Sequence, residues 1–255
     1  MTANTLENPP LLRLRGVSKS FGPVRALVGV DLDVPAGAVT ALAGDNGAGK
    51  STLIKCIAGI HPVDAGEILW DGSPVSLRGP ADSAALGIQT VYQDLALCDN
   101  LDIVQNMFLG RERLRRGQLD DVAMEQAATR TLADLAVTTV TSVRQSVASL
   151  SGGQRQSVAI AKAVLWESRL VVMDEPTAAL GVAQTAMVLE LVRTLANRGH
   201  AVLLVTHNVP NLLDVADRVA VMRQGRVVDA RERARIDQRI LVDLMTTGST
   251  DREVA

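Results

Sequence analysis

The stretch of sequence that decides the fold is Gly44-Asp45-Asn46-Gly47-Ala48-Gly49-Lys50-Ser51. It matches the pattern G-x-x-x-x-G-K-[ST], whose glycines let consecutive backbone N–H groups turn towards a phosphate. The short apolar run Val39–Ala43 before it predicts a buried strand, and helix-like sequence follows it to about Ile60. Strand, loop and helix in this order predict a phosphate-binding loop at one edge of an α/β sheet.

The side chains that follow the glycines suit a nucleoside triphosphate bound with Mg²⁺. Lys50 would neutralise β- and γ-phosphate oxygens, and the Ser51 hydroxyl would bind the metal ion. Thr52 would contact the α-phosphate. The helix that begins near Lys50 adds the positive end of its dipole. The predicted ligands are therefore a nucleoside triphosphate and Mg²⁺.

Other short apolar runs predict the rest of a parallel sheet. Ile88–Val91, Leu170–Met173 and Ala201–Val205 are rich in β-branched and aliphatic residues, as strands buried on both faces are. Between them, Val182–Asn197 places apolar residues at helical spacing, which predicts an amphipathic helix against one face of the sheet. The alternation of strands and helices is typical of an α/β fold.

The predicted fold is a P-loop nucleotide-hydrolase core, a mixed and largely parallel sheet flanked by helices. Alternating Leu12 and Leu14, and then Val28–Val34, predict strands of an N-terminal antiparallel β portion. The segment from about 99 to 150 lacks strand alternation and is interpreted as an inserted helical subdomain. The predicted boundaries are a flexible leader at residues 1–10, one domain over 11–255 with its core at 11–98 and 151–230, and a C-terminal helix and tail at 231–255.

Four chemically suggestive side chains each follow the C-terminal end of a predicted buried strand: Lys50, Gln93, Glu175 and His207. Ligands bind at that edge of open parallel sheets, so the four are predicted to share one site. Glu175 suits the orientation and deprotonation of an attacking water, and His207 suits a hydrogen bond to the γ-phosphate. Gln93 would reach the metal or the water from another strand.

Asp174 and Glu175 are adjacent at the end of one apolar strand. Successive side chains of a strand project to opposite sides, so the two carboxylates are predicted to have different roles. Asp174 suits holding Mg²⁺, often through water, beside the metal ligands predicted at Ser51 and Gln93.

A second anion-binding helix end is predicted at Leu150–Gln154, which reads Leu-Ser-Gly-Gly-Gln. Ser151 is a good N-cap, and Gly152 and Gly153 expose the free N–H groups of the helix that follows. One chain with two phosphate cradles and one expected triphosphate suggests a dimer that shares its ligands across the interface.

These motifs, in this order from Gly44 to His207, resemble those of the ABC ATPases. The resemblance implies a head-to-tail dimer, expected to be a homodimer, with two ATP molecules between the subunits. Each Ser151-Gly152-Gly153-Gln154 segment would face the γ-phosphate held by the other chain, and Phe21 would stack on adenine. One departure is Ala178–Gly181, where the family commonly has Ser-Ala-Leu-Asp; the missing Asp puts the coupling between the two ATP sites in question.

Further segments, among them Leu86–Leu97, Asn106–Glu112 and Leu241–Gly248, resemble the single-domain ATPases of carbohydrate importers for xylose, ribose and fructose. That resemblance implies transmembrane permease subunits, an extracytoplasmic sugar-binding protein and a cytoplasmic position on the inner face of the membrane. In the family the segment after Gln93 forms part of a groove that receives a permease helix. The expected apolar contacts there are Leu95, Leu97 and Leu101, or else these residues are subdomain core.

Composition narrows the classes of function that remain possible for this chain. The chain has 255 residues, a formal net charge of -2 and only 2% aromatic residues, so binding to nucleic acid is not expected. The two cysteines form no CxxC pair and are expected to be reduced thiols. No apolar run reaches the ~18 residues of a membrane span, and no signal peptide is expected. The alternatives are an importer ATPase for another small solute, a non-transport ABC ATPase acting on DNA or ribosomes, and a module that binds ATP without cleaving it.

Overall fold

The computed structural model of the protein describes residues 9–249. Most of the predicted leader, residues 1–8, and the last part of the predicted tail, residues 250–255, lie outside the described range. Within residues 9–249, no helix is both long and apolar enough to cross a membrane.

Across residues 9–249 the strands form three sheets. In chain order they are β1 (Leu12–Phe21), β2 (Val24–Val34), β3 (Val39–Ala43), β4 (Ala65–Trp70), β5 (Ser73–Val75), β6 (Ile88–Val91), β7 (Leu114–Arg115), β8 (Gln118–Leu119), β9 (Leu170–Asp174), β10 (Ala201–Val205), β11 (Arg218–Arg223) and β12 (Arg226–Glu232).

The α-helices alternate with these strands through most of the chain. They are α1 (Lys50–Ile57), α2 (Pro80–Ala85), α3 (Ile103–Phe108), α4 (Asp121–Asp134), α5 (Gly152–Val164), α6 (Val182–Asn197), α7 (Val209–Val215) and α8 (Gln238–Thr246). Short 3₁₀ turns cover Val147–Ser149 and Arg233–Arg235.

The central sheet has six strands in the order β12-β11-β3-β10-β9-β6. β11, β3, β10, β9 and β6 run parallel, and β12 pairs antiparallel with β11 at one edge. Every residue of β3 and β10 is buried, because helices or the other sheet cover both faces. The apolar runs therefore predict β3, β6, β9 and β10 correctly, whereas β11 and β12 are not among the predicted strands. The α/β fold with a mixed sheet is confirmed.

Alternate residues of β9 show how the sheet divides the core. Val171 and Met173 belong to one apolar cluster with α3, α4, α5 and α6, whereas Leu170 and Val172 belong to a second cluster with α1 and the N-terminal strands. This is the period of two expected of a strand. The sheet thus lies between two packed layers, and the loops at the ends of its strands are left at the edge.

An antiparallel sheet in the order β2-β1-β4-β5 forms the N-terminal part of the chain. Its first two strands join through a short turn at Gly22-Pro23, and Phe21 pairs with Val24 across that turn. The alternating Leu12 and Leu14 are buried, in agreement with the half-buried strand predicted from their spacing.

The segment from 99 to 150 contains α3 and α4, which pack against α5. It also contains the two-residue strands β7 and β8, which form a small hairpin. The sequence pattern predicts only helix here, because Leu114 and Leu119 are both exposed and each strand is too short to show alternation.

Candidate functional site

The glycine-rich loop lies between the end of β3 and the start of α1. Gly49 is the N-cap residue of α1 and has φ 107°, a left-handed conformation that favours glycine. A Cβ atom at Gly44 would lie 2.3 Å from the carbonyl oxygen of Met222, and one at Gly49 would lie 2.7 Å from that of Ala26. No side chain fits at either position, so the loop can keep its shape only with these glycines.

The loop forms one wall of a cleft of about 390 Å³. The remaining lining residues come from β2 and from the turn between β11 and β12. The lining comprises Val24, Arg25, Ala26, Asn46, Gly47, Ala48, Gly49, Lys50, Ser51, Thr52, Gln224 and Gly225. The sequence pattern does not predict the contributions of Val24–Ala26 or Gln224-Gly225, since only the folded sheet brings them to the loop.

Lys50 is buried, with 8% of its surface exposed. Its Nζ donates hydrogen bonds to the carbonyl oxygens of Gly44, at 2.6 Å, and Asp45, at 3.0 Å. A buried ammonium is stable only when it is well paired, and these carbonyls provide partial compensation. The charge is therefore held inside the loop, where an anion would meet it.

Asp174 ends β9 and is half-buried. Burial raises the pKa of its carboxyl, the negative charge of Glu175 raises it further, and the charges of Lys50 and Lys55 oppose the change. The charged form of this carboxyl is therefore disfavoured in the fold, and a nearby cation would stabilise it. Among residues 9–249 no three His, Cys, Asp or Glu side chains gather into a metal site, but Mg²⁺ commonly takes one or two carboxylates together with phosphate and water. The donor set of Asp174 and the hydroxyl of Ser51 fits such an ion.

Glu175 and His207 meet across the ends of β9 and β10. Oε1 of Glu175 lies 2.7 Å from Nδ1 of His207 and accepts the backbone N–H of His207 at 3.1 Å. Oε2 accepts the hydroxyl hydrogen of Thr206 at 3.2 Å. Glu175 itself has φ 49°, a strained value for a residue with a side chain. Its N–H donates to the carbonyl of Val205 at 2.8 Å, which helps to hold that conformation.

His207 is largely exposed, and its ring nitrogen Nε2 is left available once Nδ1 faces Glu175. Gln93 is also exposed and follows β6, the strand next to β9. The structure thus brings Glu175 and His207 into direct contact. It places Gln93 at the same edge of the sheet, and no hydrogen bond within residues 9–249 joins Gln93 to Glu175 or His207.

The Leu150–Gln154 segment starts α5. The Ser151 hydroxyl accepts the N–H of Gln154 at 3.4 Å, and the Gln154 side chain accepts the N–H of Ser151 at 2.9 Å. This reciprocal pair is a capping box and confirms the predicted N-cap. Gly153 packs so closely on α6 that an added Cβ would lie 3.1 Å from Cβ of Gln184.

The signature segment Leu150–Gln154 is separate from the cleft beside the glycine-rich loop. The described lining of the cleft includes no residue of this segment. Ser151 and Gly152 are exposed, so the helix end is open to an external ligand.

Gly181 is the N-cap of α6 and provides no side-chain cap; Gln184 instead accepts its N–H at 3.2 Å. An Asp at this position would cap the helix and carry a charge at the chain surface. The departure from the family pattern therefore removes both an N-cap side chain and an exposed carboxylate.

Phe21 ends β1 and is 43% exposed. It lies beside the cleft, since its cross-strand partner Val24 lines that cleft. The ring contacts His61, a residue to which the sequence pattern assigns no role. A lone histidine in a loop carries no signal of such a contact, which only the packing of α1 against the N-terminal sheet creates.

A second cleft, of about 270 Å³, opens where the segment after Gln93 meets the helices. Its lining includes Tyr92, Asp94–Ala96, Leu109, Arg111 and Trp166. Of the three leucines expected there, Leu95 lines the cleft and also packs against the helical core cluster, and Leu97 packs against that cluster. Leu101 is half-buried.

Comparison with known families gives a match to the ABC transporter model over residues 27–178. The chain is 46% identical over 224 residues to a fructose import ATP-binding protein of Rhizobium meliloti, with 85% of this chain and 86% of that protein covered. It is 43% identical over 237 residues to a xylose/arabinose import ATP-binding protein of Sulfolobus acidocaldarius, with 93% and 94% covered.

A ribose import ATP-binding protein of Rubrobacter xylanophilus is 43% identical over 219 residues, but the chain spans only 44% of its length. Among solved structures, a nucleotide-free ATP-binding cassette from an ABC transporter superposes with a TM-score of 0.79 at 24% identity, covering 96% of this chain and 99% of that one. An ATP-binding cassette in its ADP conformation gives 0.78 at 24% identity, with 93% and 95% covered. These structures share the fold described above.

Proposed function

The chain belongs to the ABC transporter family of ATP-binding proteins, and from that premise we propose that it is the ATP-hydrolysing subunit of a monosaccharide importer. The observation that carries the proposal is the cleft in which the buried Lys50 and the glycine-rich loop lie with the half-buried Asp174 near Lys50. A polyanion would pair with the ammonium of Lys50, and a divalent cation bound to that polyanion would pair with the carboxylate of Asp174.

The proposed roles at the ATP site follow from the geometry. Lys50 and the loop N–H groups bind the phosphates, with Asp45, Asn46, Gly47 and Ala48 forming the wall between the two terminal glycines. Ser51, Asp174 and Gln93 would hold Mg²⁺, which neutralises charge that develops on the phosphates. Thr52 would contact the α-phosphate.

Glu175 is proposed as the general base. Its carboxylate is fixed by Thr206 and His207, so it is oriented before substrate arrives. A water at the γ-phosphate would give its proton to this carboxylate as its oxygen attacks phosphorus, and ADP would leave. His207 would direct Nε2 to the γ-phosphate.

The working unit is proposed to be a homodimer. The open, capped end of α5 presents the N–H groups of an anion site, yet the described cleft of the same chain does not include it. A second copy in head-to-tail orientation would place its Ser151–Gln154 segment on the γ-phosphate held by this chain. ATP would then stabilise the closed dimer because it binds that state better than the open one.

Sugar import is supported by the two relatives that match over most of their own length, a fructose and a xylose/arabinose import ATP-binding protein. We further propose that the second cleft, lined by Leu95, Leu109 and Trp166, seats a permease segment. The partners would then be two permease subunits and an extracytoplasmic sugar-binding protein, with this chain on the cytoplasmic face of the membrane.

The decisive experiment purifies the chain with its native permease, reconstitutes both in liposomes and measures ATP turnover with each loaded binding protein. Stimulation by a monosaccharide-loaded protein is expected, and the Glu175→Gln chain is the matched control. Stimulation only by an amino-acid- or nucleoside-loaded protein would assign another solute. ATP turnover that is stimulated by DNA or ribosomes and not by a permease would instead indicate a non-transport ABC ATPase.

A further inference from the structure

His61 contacts the aromatic ring beside the nucleotide cleft. The ring centroids of His61 and Phe21 are 5.1 Å apart and their planes are inclined by 73°. This is the edge-to-face arrangement that aromatic pairs prefer. His61 therefore supports the ring of Phe21 from the side.

The backbone position of Phe21 leaves the orientation of its ring open. It is the last residue of β1 and is followed by the turn at Gly22-Pro23. With 43% of its surface exposed, the ring has few packed neighbours to select one rotamer. Its orientation must come from side chains outside the hairpin turn.

Lys19 gives the second contact, with Nζ 5.6 Å from the Phe21 centroid. That ammonium is itself fixed, since Oδ1 of Asp64 lies 2.6 Å away and Oδ2 of the same carboxylate accepts the N–H of Ser20 at 2.7 Å. The charge near the ring is therefore anchored to β1, whereas His61 reaches Phe21 from the segment that follows α1.

His61 comes just after α1, and its N–H donates to the carbonyl of Lys55 in the last turns of that helix, at 3.2 Å. The first turn of α1 carries Lys50 and Ser51. One short helix thus connects the phosphate cradle at its start with the support of Phe21 at its end.

We propose that His61 is a positioning residue for base recognition: it holds the Phe21 ring so that the exposed face is ready to stack on adenine. The inference rests on the proposed function, in which Phe21 stacks on the base of ATP. A ring that is already ordered loses less conformational entropy on binding than a ring that the ligand must fix.

The test is steady-state ATPase kinetics of His61→Ala, with inorganic tripolyphosphate as a competing ligand that lacks a base. We expect the KM for ATP to rise about three- to tenfold, the range of an aromatic pair, with kcat little changed. The inhibition constant of tripolyphosphate should stay as in the wild type. His61→Phe, which keeps an aromatic edge, should restore the KM, and His61→Gln should not.

The controls separate the possible failures. His200→Ala changes a histidine that contacts Ser168 away from the cleft, and its KM for ATP should match the wild type. In a Phe21→Ala background, His61→Ala should not raise the KM for ATP any further. An equal rise of the KM in both backgrounds would overturn the proposal. An equal weakening of tripolyphosphate binding by His61→Ala would overturn it as well. If Phe21→Ala leaves the KM unchanged, the stacking role is wrong and the proposal falls with it. A wild-type chain that never cleaves ATP would instead refute the ATPase function itself.

Discussion

Oε1 of Glu175 lies 2.7 Å from Nδ1 of His207, at the adjacent ends of two parallel strands. Two residues 32 positions apart in sequence are thus joined by two polar contacts, this one and the bond from the backbone N–H of His207 to the same oxygen at 3.1 Å. The carboxylate is held by three donors, so its direction is set by β10 as much as by its own strand. In its proposed role as general base, a carboxylate held in this way would need no reorganisation when water arrives.

Glu175→Gln should abolish most of the turnover while ATP binding persists. The amide keeps the size of the side chain but cannot accept the proton of the attacking water, so we expect kcat to fall by about 100-fold or more. ATP should then accumulate in a stable dimer. Phosphate release and size-exclusion chromatography with ATP measure the two effects; normal turnover would remove Glu175 from the role of base, and a monomer would contradict the shared site.

His207→Ala should lower kcat by about 100-fold, because it removes both the partner of Glu175 and the donor expected at the γ-phosphate. His200→Ala is the matched histidine control and should keep the wild-type kcat. Equal losses in the two variants would indicate a general effect on folding.

Lys50→Ala should weaken ATP binding. Hydrogen bonds to charged groups contribute about 1.5–3 kcal/mol, which corresponds to a dissociation constant raised about 10- to 100-fold. Equilibrium binding of a fluorescent ATP analogue provides the measurement. Lys55→Ala, on the exposed side of the same helix, should bind like the wild type, and unchanged binding by Lys50→Ala would argue against the cradle.

Asp174→Asn should stabilise the nucleotide-free protein near neutral pH and impair its Mg²⁺-dependent binding of ATP. Burial and the charge of Glu175 raise the pKa of Asp174 in the fold, so the folded chain holds this proton more tightly than the unfolded chain does. The carboxylate then destabilises the fold at pH values above the raised pKa, and this penalty disappears as the pH falls from there to the ordinary value of 3.8. Melting temperatures across that pH range should show the advantage of Asn shrinking in acid, and an advantage that grew in acid would contradict it.

Gly181→Asp should change stability by only a few tenths of a kcal/mol, because glycine and Asp differ little as N-caps. It would, however, restore the carboxylate that the family commonly has near the partner subunit. We expect the dependence of turnover on ATP concentration to become more cooperative. Thermal unfolding checks the first expectation and the Hill coefficient the second; an unchanged coefficient would show that a carboxylate at this position does not alter the coupling between the two sites.

The sequence predicts β3, β6, β9 and β10 well, because each is a short apolar run followed by polar or glycine residues at one edge, whereas β11 and β12 of the same sheet are not among its predictions. Asp174-Glu175 and His207 are found where that pattern places them. The hairpin formed by β7 and β8 was not predicted, since two-residue strands carry no periodicity. The contact of His61 with Phe21 and the cleft walls at Val24 and Gln224 depend on how separate elements pack, and no local pattern encodes such packing.

Lys50 would have to exchange partners to bind the proposed triphosphate, because its Nζ already donates to the carbonyl oxygens of Gly44 and Asp45. An anionic oxygen would compensate for those two neutral acceptors, because it adds a Coulomb attraction between opposite charges that a neutral carbonyl lacks. An uncharged molecule of the same shape would give the ammonium no such attraction. We therefore expect the loop to select against neutral metabolites by energy rather than by size, before any contact with the base is made.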